Sequence, residues 1–249
     1  MVSLFKSIFQ SKKSSEFYSL SKIGVDIHSH LIPGIDDGSQ SMDDTIGMLY
    51  KFKELGYSKV ITTPHVMTDQ YRNSPEIIKE GLKKVQMAIA EINLEIEIEA
   101  AAEYFFDEFL IEKVKRKEIL TFGDNYVLVE FSFLQEPMLH KELFFTMKTN
   151  GYQPVLAHFE RYPYYFKRLE EHMNEYKLMG VCIQMNLLSL TGHYGPGVRK
   201  QAESMVDNKF IDFVGSDCHR IEHLQILEKN LQNKYYHKLS ELELLNSKL

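Results

Sequence analysis

The chain has 249 residues, of which 44% are hydrophobic and 26% charged, and its formal net charge is −6. This length allows one large α/β barrel or two ordinary domains. The acidic balance gives no support for nucleic-acid binding, which needs a basic surface, and no apolar run approaches the ~18 residues that span a bilayer. The two cysteines, Cys182 and Cys218, argue against a disulfide scaffold and predict a cytoplasmic location.

Residues 1–22 are predicted to be an appendage to the domain that follows. This stretch is rich in Ser and Lys after its first turn, and its first ten residues are too short and too interrupted for a signal-peptide core. Leu4, Phe5, Ile8 and Phe9 lie at helical spacing. We therefore expect either a flexible tail or a short amphipathic helix, followed by one domain over residues 23–249.

From residue 23 onwards, apolar strand segments alternate with helical segments. Predicted strands cover about 23–28, 59–63, 94–100, 126–129, 154–157, 181–185 and 210–214. Predicted helices begin after Ser41 and at Pro75, and further helices cover about 107–117, 137–149, 166–179, 198–208 and 222–245. Because such alternation implies parallel pairing through right-handed crossovers, the prediction is an α/β fold, a closed or nearly closed βα barrel.

The segment Asp26-Ile27-His28-Ser29-His30 places two histidines at the end of the first strand. Histidines separated by one residue point the same way and can bind one metal ion, and the following Asp36-Asp37-Gly38 turn brings carboxylates within reach. Barrel enzymes place their chemistry at the carboxyl ends of strands. Such ends carry a His, Asp or Glu six times, at His28, His65, Glu103, Glu130, His158 and Asp217. These donors suit Mn, Zn or Fe, so the pattern predicts a polynuclear metal site.

The ordered set of motifs resembles a known superfamily. The motifs are Asp26-Ile27-His28-Ser29-His30, Ile35-Asp36-Asp37-Gly38, Thr63-Pro64-His65, Ala102-Glu103, Val129-Glu130-Phe131, Ala157-His158-Phe159-Glu160-Arg161-Tyr162 and Gly215-Ser216-Asp217-Cys218-His219. They are similar to those of the polymerase-and-histidinol-phosphatase (PHP) superfamily. More narrowly, they resemble its bacterial capsule-biosynthesis protein-tyrosine phosphatases, the CpsB/CapC family. The resemblance implies a distorted (β/α)7 TIM-like barrel and a metal-dependent phosphatase of phosphotyrosine.

The resemblance also implies a site with three divalent ions, manganese first, with iron, zinc, cobalt or magnesium as alternatives. The first ion would be held by His28, His30, Glu103 and Asp217. Glu103 would bridge to the second ion, shared with Glu130 and His158, and the third would be held by Asp37, His65 and His219. Arg161 would clamp the phosphate. Asp26, Asp36 and Asn186 would orient ligands without binding metal.

Charge counting agrees with a phosphate substrate. Four ligand carboxylates and three divalent ions leave about +2 in the cavity of an otherwise acidic protein, so the local field attracts a phosphoryl dianion. A hydroxide that bridges the first two metals would be the nucleophile, because divalent metals bring bound water towards a neutral pKa.

The partner and location also follow from the resemblance. The implied substrate is a phosphotyrosine protein, a capsule-type bacterial tyrosine kinase that regulates capsular or exopolysaccharide synthesis. The protein would then be cytoplasmic, or peripheral at the inner membrane through that kinase. A homo-oligomer is left open.

The sequence also bears on other functions. A cysteine-based tyrosine phosphatase needs an Arg six positions after its Cys, but Leu188 follows Cys182 and Leu224 follows Cys218 at that distance. A metal-dependent amidohydrolase usually supplies a strand-borne lysine in mid-barrel, where this chain has glutamates. A histidinol-phosphate-type small-molecule phosphatase and a metal-bound, non-catalytic regulator of a polysaccharide-export complex stay open.

Two features of the substrate side are also left open. The family often carries a second phosphate-contacting arginine after the last metal motif, and here Arg220 or His223 would replace it, or the phosphate would be held differently. Aromatic side chains near the strand ends would form either a rim for the phosphotyrosine ring or part of the barrel packing. They are Tyr104, Phe105, Tyr162, Tyr164 and Tyr165.

Overall fold

The structure is a computed structural model that describes residues 20–249. The tail or helix predicted from Leu4 to Phe9 therefore lies outside the described residues. A 3-10 turn over Leu20–Lys22 begins the described chain. Leu20 is buried, and its N–H donates a hydrogen bond to the carbonyl oxygen of Leu55 (3.2 Å), so the chain already packs on the domain at this point.

The described residues form strands that all pair in parallel. Their bounds are β1 Val25–Asp26, β2 Lys59–Thr62, β3 His65–Val66, β4 Glu97–Ala100, β5 Glu103–Phe105, β6 Tyr126–Glu130, β7 Gln153–Leu156, β8 Cys182–Asn186 and β9 Phe213–Gly215. One sheet has the order β1-β2-β4 and the other the order β3-β5-β6-β7-β8-β9.

The two sheets are parts of one ring of seven strands. β2 lies within the strand predicted over 59–63, and β3 continues it beyond Thr63-Pro64, where proline has no N–H to donate. β4 and β5 are likewise separated by Ala101-Ala102, and the N–H of Ala101 still donates to the carbonyl oxygen of Thr62 (2.9 Å). A parallel bridge between Ser29 and Cys218 joins the ends of β1 and β9. The prediction of a distorted (β/α)7 TIM-like barrel is therefore confirmed.

Helices connect the strands. They are α1 Met42–Glu54, α2 Pro75–Glu91, α3 Leu110–Arg116, α4 His140–Thr149, α5 Leu169–Leu178, α6 Pro196–Asp207, α7 Ile221–Asn230 and α8 Lys234–Leu239. The first two helices begin where predicted, and the hydroxyls of Ser41 and Ser74 cap them by accepting from the backbone N–H three residues on. No helix of this part of the chain is long and apolar enough to cross a membrane.

The structure corrects three predicted boundaries. The predicted helix from Asp107 begins only at Leu110, because the Asp107 carboxylate accepts from the N–H groups of Phe109 and Leu110 and forms a turn. The predicted strand from residue 94 begins at Glu97. The predicted C-terminal helix over 222–245 is two helices, because Asn233 caps a new start at α8.

The barrel interior divides into an apolar part and a polar part. A small apolar cluster includes Ile61, Leu128, Val155 and Phe213. Leu128 precedes Glu130 by two residues, so both side chains lie on the same face of β6. The apolar side chains fill one end of the barrel and leave the carboxyl ends of the strands to the polar residues.

Asn246 ties the end of the chain to the first and last strands, which gives a test of the fold. It is fully buried, accepts from the N–H of Val214 (3.0 Å) and donates to the carbonyl oxygens of Val25 (2.9 Å) and Val214 (2.8 Å). Asn246→Leu leaves these backbone groups unpaired, so we expect a loss of about 2–3 kcal/mol in the free energy of unfolding, measured by urea denaturation. The exposed Asn174 is the control, and an equal loss in Asn174→Leu would contradict the argument.

Candidate metal centre

The residues predicted to form the site lie together at the carboxyl ends of the strands. A cavity of about 440 Å³ is bordered by eight of the ten, which are Asp37, His65, Glu103, Glu130, His158, Arg161, Asp217 and His219. The other two, His28 and His30, are fully buried beside Glu103. The structure thus brings all ten into one cluster.

Glu103 stands at the centre of this cluster. Its Oε2 lies 3.2 Å from Nε2 of His28, 3.0 Å from Nδ1 of His65 and 3.5 Å from Nε2 of His30. Its Oε1 lies 3.1 Å from Nε2 of His158. Two donors that bind one cation with bonds of ~2.1 Å at 90–109° lie about 3.0–3.4 Å apart. The spacing around Glu103 is therefore that of donors able to share a cation.

The two carboxylate oxygens of Asp217 face different groups. Oδ1 lies 3.4 Å from Nε2 of His28 and 3.6 Å from Nε2 of His30. Oδ2 accepts from Nη1 of Arg161 (2.9 Å) and from Nδ2 of Asn186 (2.7 Å). One oxygen is thus turned to the histidines, while hydrogen bonds fix the other.

A third group of donors forms around Asp37. Its Oδ1 lies 3.6 Å from Nε2 of His65 and 3.5 Å from Nε2 of His219. The rings of His30 and His219 stack with their centroids 3.9 Å apart. Ligand atoms of His30, Asp37, His65 and His219 all lie within 4.8 Å of one another.

The donor groups differ in three respects from the ligand sets that the resemblance implies: His30 also joins the group at Asp37, Asp217 is absent from the first group, and His65 joins the second. Besides the group at Asp37, donors of His28, His30 and Glu103 lie within 4.8 Å, as do those of His65, Glu103 and Glu130. His65 thus takes the place expected for His158 in the second set, although Nε2 of His158 is 3.5 Å from Glu130 Oε1. The physical reason is that imidazole has two nitrogens, and His65 turns one to each group.

Buried atoms without hydrogen-bond partners test whether a metal fits here. Among the described residues these atoms include His28 Nε2, His30 Nε2, His65 Nδ1, Glu103 Oε2 and Glu130 Oε2. A buried polar atom left unpaired costs about 1–3 kcal/mol, and native proteins contain few of them. Five in one cluster, all nitrogen or carboxylate oxygen, are the donors that a divalent cation binds. The residues present fit such an ion.

The histidines and carboxylates of the cluster stabilise each other's charged forms. Burial lowers the pKa of His28 and of His65, but nearby carboxylates, Glu103 above all, outweigh it and raise the two pKa values to about 9 and about 10. Burial raises the pKa of Glu103, yet the same histidines hold it well below its ordinary value. The buried carboxylates therefore depend on positive charge placed between them.

Neighbouring side chains orient the histidines. Asp36 Oδ2 lies 2.8 Å from Nδ1 of His30, and Gln184 Oε1 lies 3.2 Å from Nδ1 of His28. The supporting roles expected of Asp36 and Asn186 agree with their contacts to His30 and Asp217, whereas the carboxylate of Asp26 accepts from the N–H and the hydroxyl of Ser216. Gln184 was missed at the sequence level, although it precedes Asn186 by two residues and so shares its strand face.

Two site residues adopt left-handed backbone conformations. His158 has a φ of 34° and Asp217 a φ of 51°. Residues other than glycine rarely adopt such angles, and when they do the strain tends to mark functional sites. Both residues follow the end of a strand, where the unusual φ turns the side chain into the cavity.

The structure decides between the two alternatives for three of the five aromatic side chains. Tyr104, Tyr162 and Tyr165 are buried at 2% exposure or less and pack in the core. The aromatic rings that contact Arg161 are instead Phe133 and Tyr194, with centroids 4.7 Å and 4.2 Å from its guanidinium carbon. Neither was predicted, because no motif links them to Arg161 in the sequence.

Cys218 lies beside two site residues but points away from them. Its thiol is fully buried and contacts Met48 Sδ (3.6 Å) and the carbonyl oxygen of Arg220 (3.4 Å). Burial holds its pKa well above the ordinary value, so the thiol stays protonated and unreactive.

The fold and the donor cluster together define a class, that of βα-barrel proteins with a histidine–carboxylate centre at the strand ends. The chain belongs to the family described as "Capsular polysaccharide synthesis, CpsB/CapC", which it matches over residues 24–241.

Relatives of known name span nearly the same length. CapC of Staphylococcus aureus is 30% identical, with 90% of each chain covered. The tyrosine-protein phosphatase YwqE of Bacillus subtilis is 27% identical, with 87% of this chain and 89% of YwqE covered. A crystal structure from the work on YwqE and on CpsB of Streptococcus pneumoniae, described as metal-dependent tyrosine phosphatases, has a TM-score of 0.75 at 24% identity and covers 88% of this chain and 96% of that one. This likeness shows a shared barrel.

Gly38 gives a test of the turn that positions Asp37. A Cβ at Gly38 would lie 2.2 Å from the carbonyl oxygen of His30, so Gly38→Ala must displace the turn. We expect a loss of about 1–3 kcal/mol in the free energy of unfolding, measured by urea denaturation. Gly47, inside α1, has open space around its Cβ position, so Gly47→Ala should stabilise by about 0.5–1 kcal/mol. Equal effects of the two substitutions would contradict the steric argument.

Proposed function

We propose that this protein is a metal-dependent protein-tyrosine phosphatase. The observation that carries the proposal is the cluster of buried histidine and carboxylate atoms without hydrogen bonds, which faces a cavity containing Arg161. Family membership and the names of YwqE and CpsB agree with it. The reaction is the transfer of a phosphoryl group to water. Oxygen from water bonds to phosphorus and gives up one proton to solvent, the bond to the tyrosine oxygen breaks, and the phenolate leaves and takes a proton from solvent.

Three divalent ions, manganese first, are the proposed cofactors. The ligands are His28, His30, Asp37, His65, Glu103, Glu130, His158, Asp217 and His219. When bound, such ions neutralise charge on the phosphoryl oxygens and lower the pKa of water. His28 and His30 each direct Nδ1 at a fixed side-chain oxygen and so present the lone pair of Nε2 towards Glu103 and Asp217.

Arg161 is the proposed phosphate clamp. Its guanidinium is held by the hydrogen bond to Asp217 Oδ2 and by the contact with the ring of Tyr194, so its plane is set before substrate arrives. A planar guanidinium can donate two parallel hydrogen bonds to a phosphoryl group. Because the donor is prearranged, little reorganisation is needed as charge develops in the transition state.

His223 is proposed as the second phosphate contact, in preference to the exposed Arg220. His223 borders the cavity and is 7% exposed. Its Nδ1 lies 3.3 Å from the backbone N–H of His219, while the carbonyl oxygen of Asp217 has a closer donor in Nδ1 of His219 (3.0 Å). When His223 Nδ1 accepts, its proton lies on Nε2, which has no partner among the described residues. This buried N–H beside the cavity is the donor that we propose for a phosphoryl oxygen.

The physiological setting is also a proposal. A cytoplasmic phosphotyrosine protein, a capsule-type tyrosine kinase, is the expected substrate, and docking to it would bring the enzyme to the inner membrane. Both points derive from the likeness to the CpsB/CapC family.

Metal loading and His158 test the reaction. Manganese-loaded protein should hydrolyse phosphotyrosine peptides and p-nitrophenyl phosphate, and dialysis against a chelator should abolish turnover and lower the melting temperature. His158→Asn should lower kcat/KM at least 100-fold with little unfolding, because asparagine tolerates the left-handed φ but is too short to reach Glu103. The surface substitution His237→Ala should change neither kcat/KM nor the melting temperature.

Each alternative function predicts a different result in this experiment. Metal-loaded but inert protein would leave only the regulatory role. Turnover of histidinol phosphate in preference to phosphotyrosine peptides would favour the small-molecule phosphatase. Full activity of His158→Asn would contradict the ligand assignment.

A pair of isosteric substitutions tests His223. Glutamine retains an N–H donor near the position of Nε2, whereas asparagine retains an acceptor near Nδ1 for the N–H of His219. His223→Asn should therefore raise the inhibition constant of inorganic phosphate about 5- to 10-fold, and His223→Gln should change it less than about threefold. The reverse order would show that His223 acts only by supporting His219.

A further inference from the structure

The cavity at the candidate metal centre has one strongly apolar wall. Most of its lining consists of carboxylates, histidines and arginines. Phe133 is the one lining side chain, in the described part of the protein, that is wholly hydrocarbon, and Tyr194 adds a second large ring. An ester whose leaving group enters this cavity therefore meets apolar surface at Phe133 and Tyr194.

Phe133 lies where a leaving group would be placed. Its ring centroid is 4.7 Å from the guanidinium carbon of Arg161 and 5.4 Å from the ring of His158. The side chain is 38% exposed, so part of its ring stays open to the cavity. A phosphoryl group held by Arg161 would thus have its ester oxygen near an open aromatic face.

The segment that carries Phe133 is anchored on both sides although it is neither helix nor strand. Tyr164 donates its hydroxyl to the carbonyl oxygen of Ser132 (3.0 Å). On the other side, Oε1 of Glu136 accepts from the hydroxyls of Tyr165 and Tyr176, each at 2.6 Å. These anchors reach into the aromatic core and fix the path of the chain at Phe133.

We propose that Phe133 selects aryl over alkyl phosphate esters by packing against the aromatic leaving group, and that Glu136 is the positioning residue that holds Phe133 in place. The proposal rests on the proposed phosphatase function. Aromatic pairs contribute about 0.5–1.5 kcal/mol beyond simple burial, which corresponds to roughly 2- to 13-fold in kcat/KM. Selection for an aryl ester therefore needs no covalent or charged contact to the ring.

Two probes separate contact with the ring from contact with the phosphate. Phenyl phosphate carries both parts, whereas inorganic phosphate, used as a competitive inhibitor, carries only one. For Phe133→Ala in manganese-loaded protein, kcat/KM for phenyl phosphate should fall about 5- to 10-fold, chiefly through KM. The inhibition constant of inorganic phosphate should stay within about twofold. Phe133→Tyr retains the ring, so its kcat/KM for phenyl phosphate and its inhibition constant for inorganic phosphate should both match the wild-type values.

The positioning role has its own variant and control. Glu136→Ala frees the segment, so KM for phenyl phosphate should rise about two- to fivefold while kcat and phosphate inhibition stay constant. Phe145→Ala, at a 70% exposed phenylalanine of α4, is the matched control and should change nothing. Metal content and melting temperature of each variant exclude loss of the fold or of the centre.

Each failure has a separate meaning. If the inhibition constant of inorganic phosphate rises as much as KM does in Phe133→Ala, Phe133 acts only through Arg161 and aryl selection is refuted. Unchanged kinetics in Phe133→Ala refute it equally, and an unchanged KM in Glu136→Ala refutes the positioning role. If wild-type protein hydrolyses neither phenyl phosphate nor phosphotyrosine peptides, the proposed function itself fails.

Discussion

The burial of Glu103 is the constraint on which the site depends. A carboxylate that is 1% exposed is costly unless positive charge and hydrogen bonds surround it. Here histidines from three other strand ends, with His30, converge on its two oxygens at 3.0–3.5 Å. Parallel strands bring their carboxyl ends to one rim, so the barrel supplies this convergence through its topology.

Asp217 connects the proposed metal side of the site to the proposed phosphate side. Oδ1 faces His28 and His30, and Oδ2 holds Arg161. A change that moves this carboxylate would therefore disturb cation binding and the clamp together. The left-handed φ at Asp217 fits such a role, because strain of this kind persists only where the surroundings fix the residue.

The proposed substrate side is built differently from the proposed metal side. Its donors and aromatic surfaces come from segments beyond the strands, namely Phe133 after β6, Tyr194 before α6 and His223 in α7. Variation in such segments leaves the barrel and the donor cluster intact. Substrate preference can thus change in this architecture while the metal chemistry stays the same.

The sequence by itself predicted the seven-stranded barrel, because strand and helix periodicities are local and parallel pairing follows from their alternation. It also placed donors such as His28, Glu130 and Asp217 at the carboxyl ends of strands, since the end of a strand can be recognised from the sequence alone. Boundaries failed where a side chain competed with the backbone, as Asp107 does before α3.

Only the tertiary structure decided which side chains meet across the cavity. Gln184 shares its Oε1 between His28 and the N–H of His158, and Phe133 packs on Arg161, although these partners are distant in the chain. In the closed barrel, the two nitrogens of His65 likewise face different donor groups, Nε2 at Asp37 and Nδ1 at Glu103. A sequence pattern gives the strand and the face of a residue, whereas the distance between side chains on different strands depends on how the ring closes.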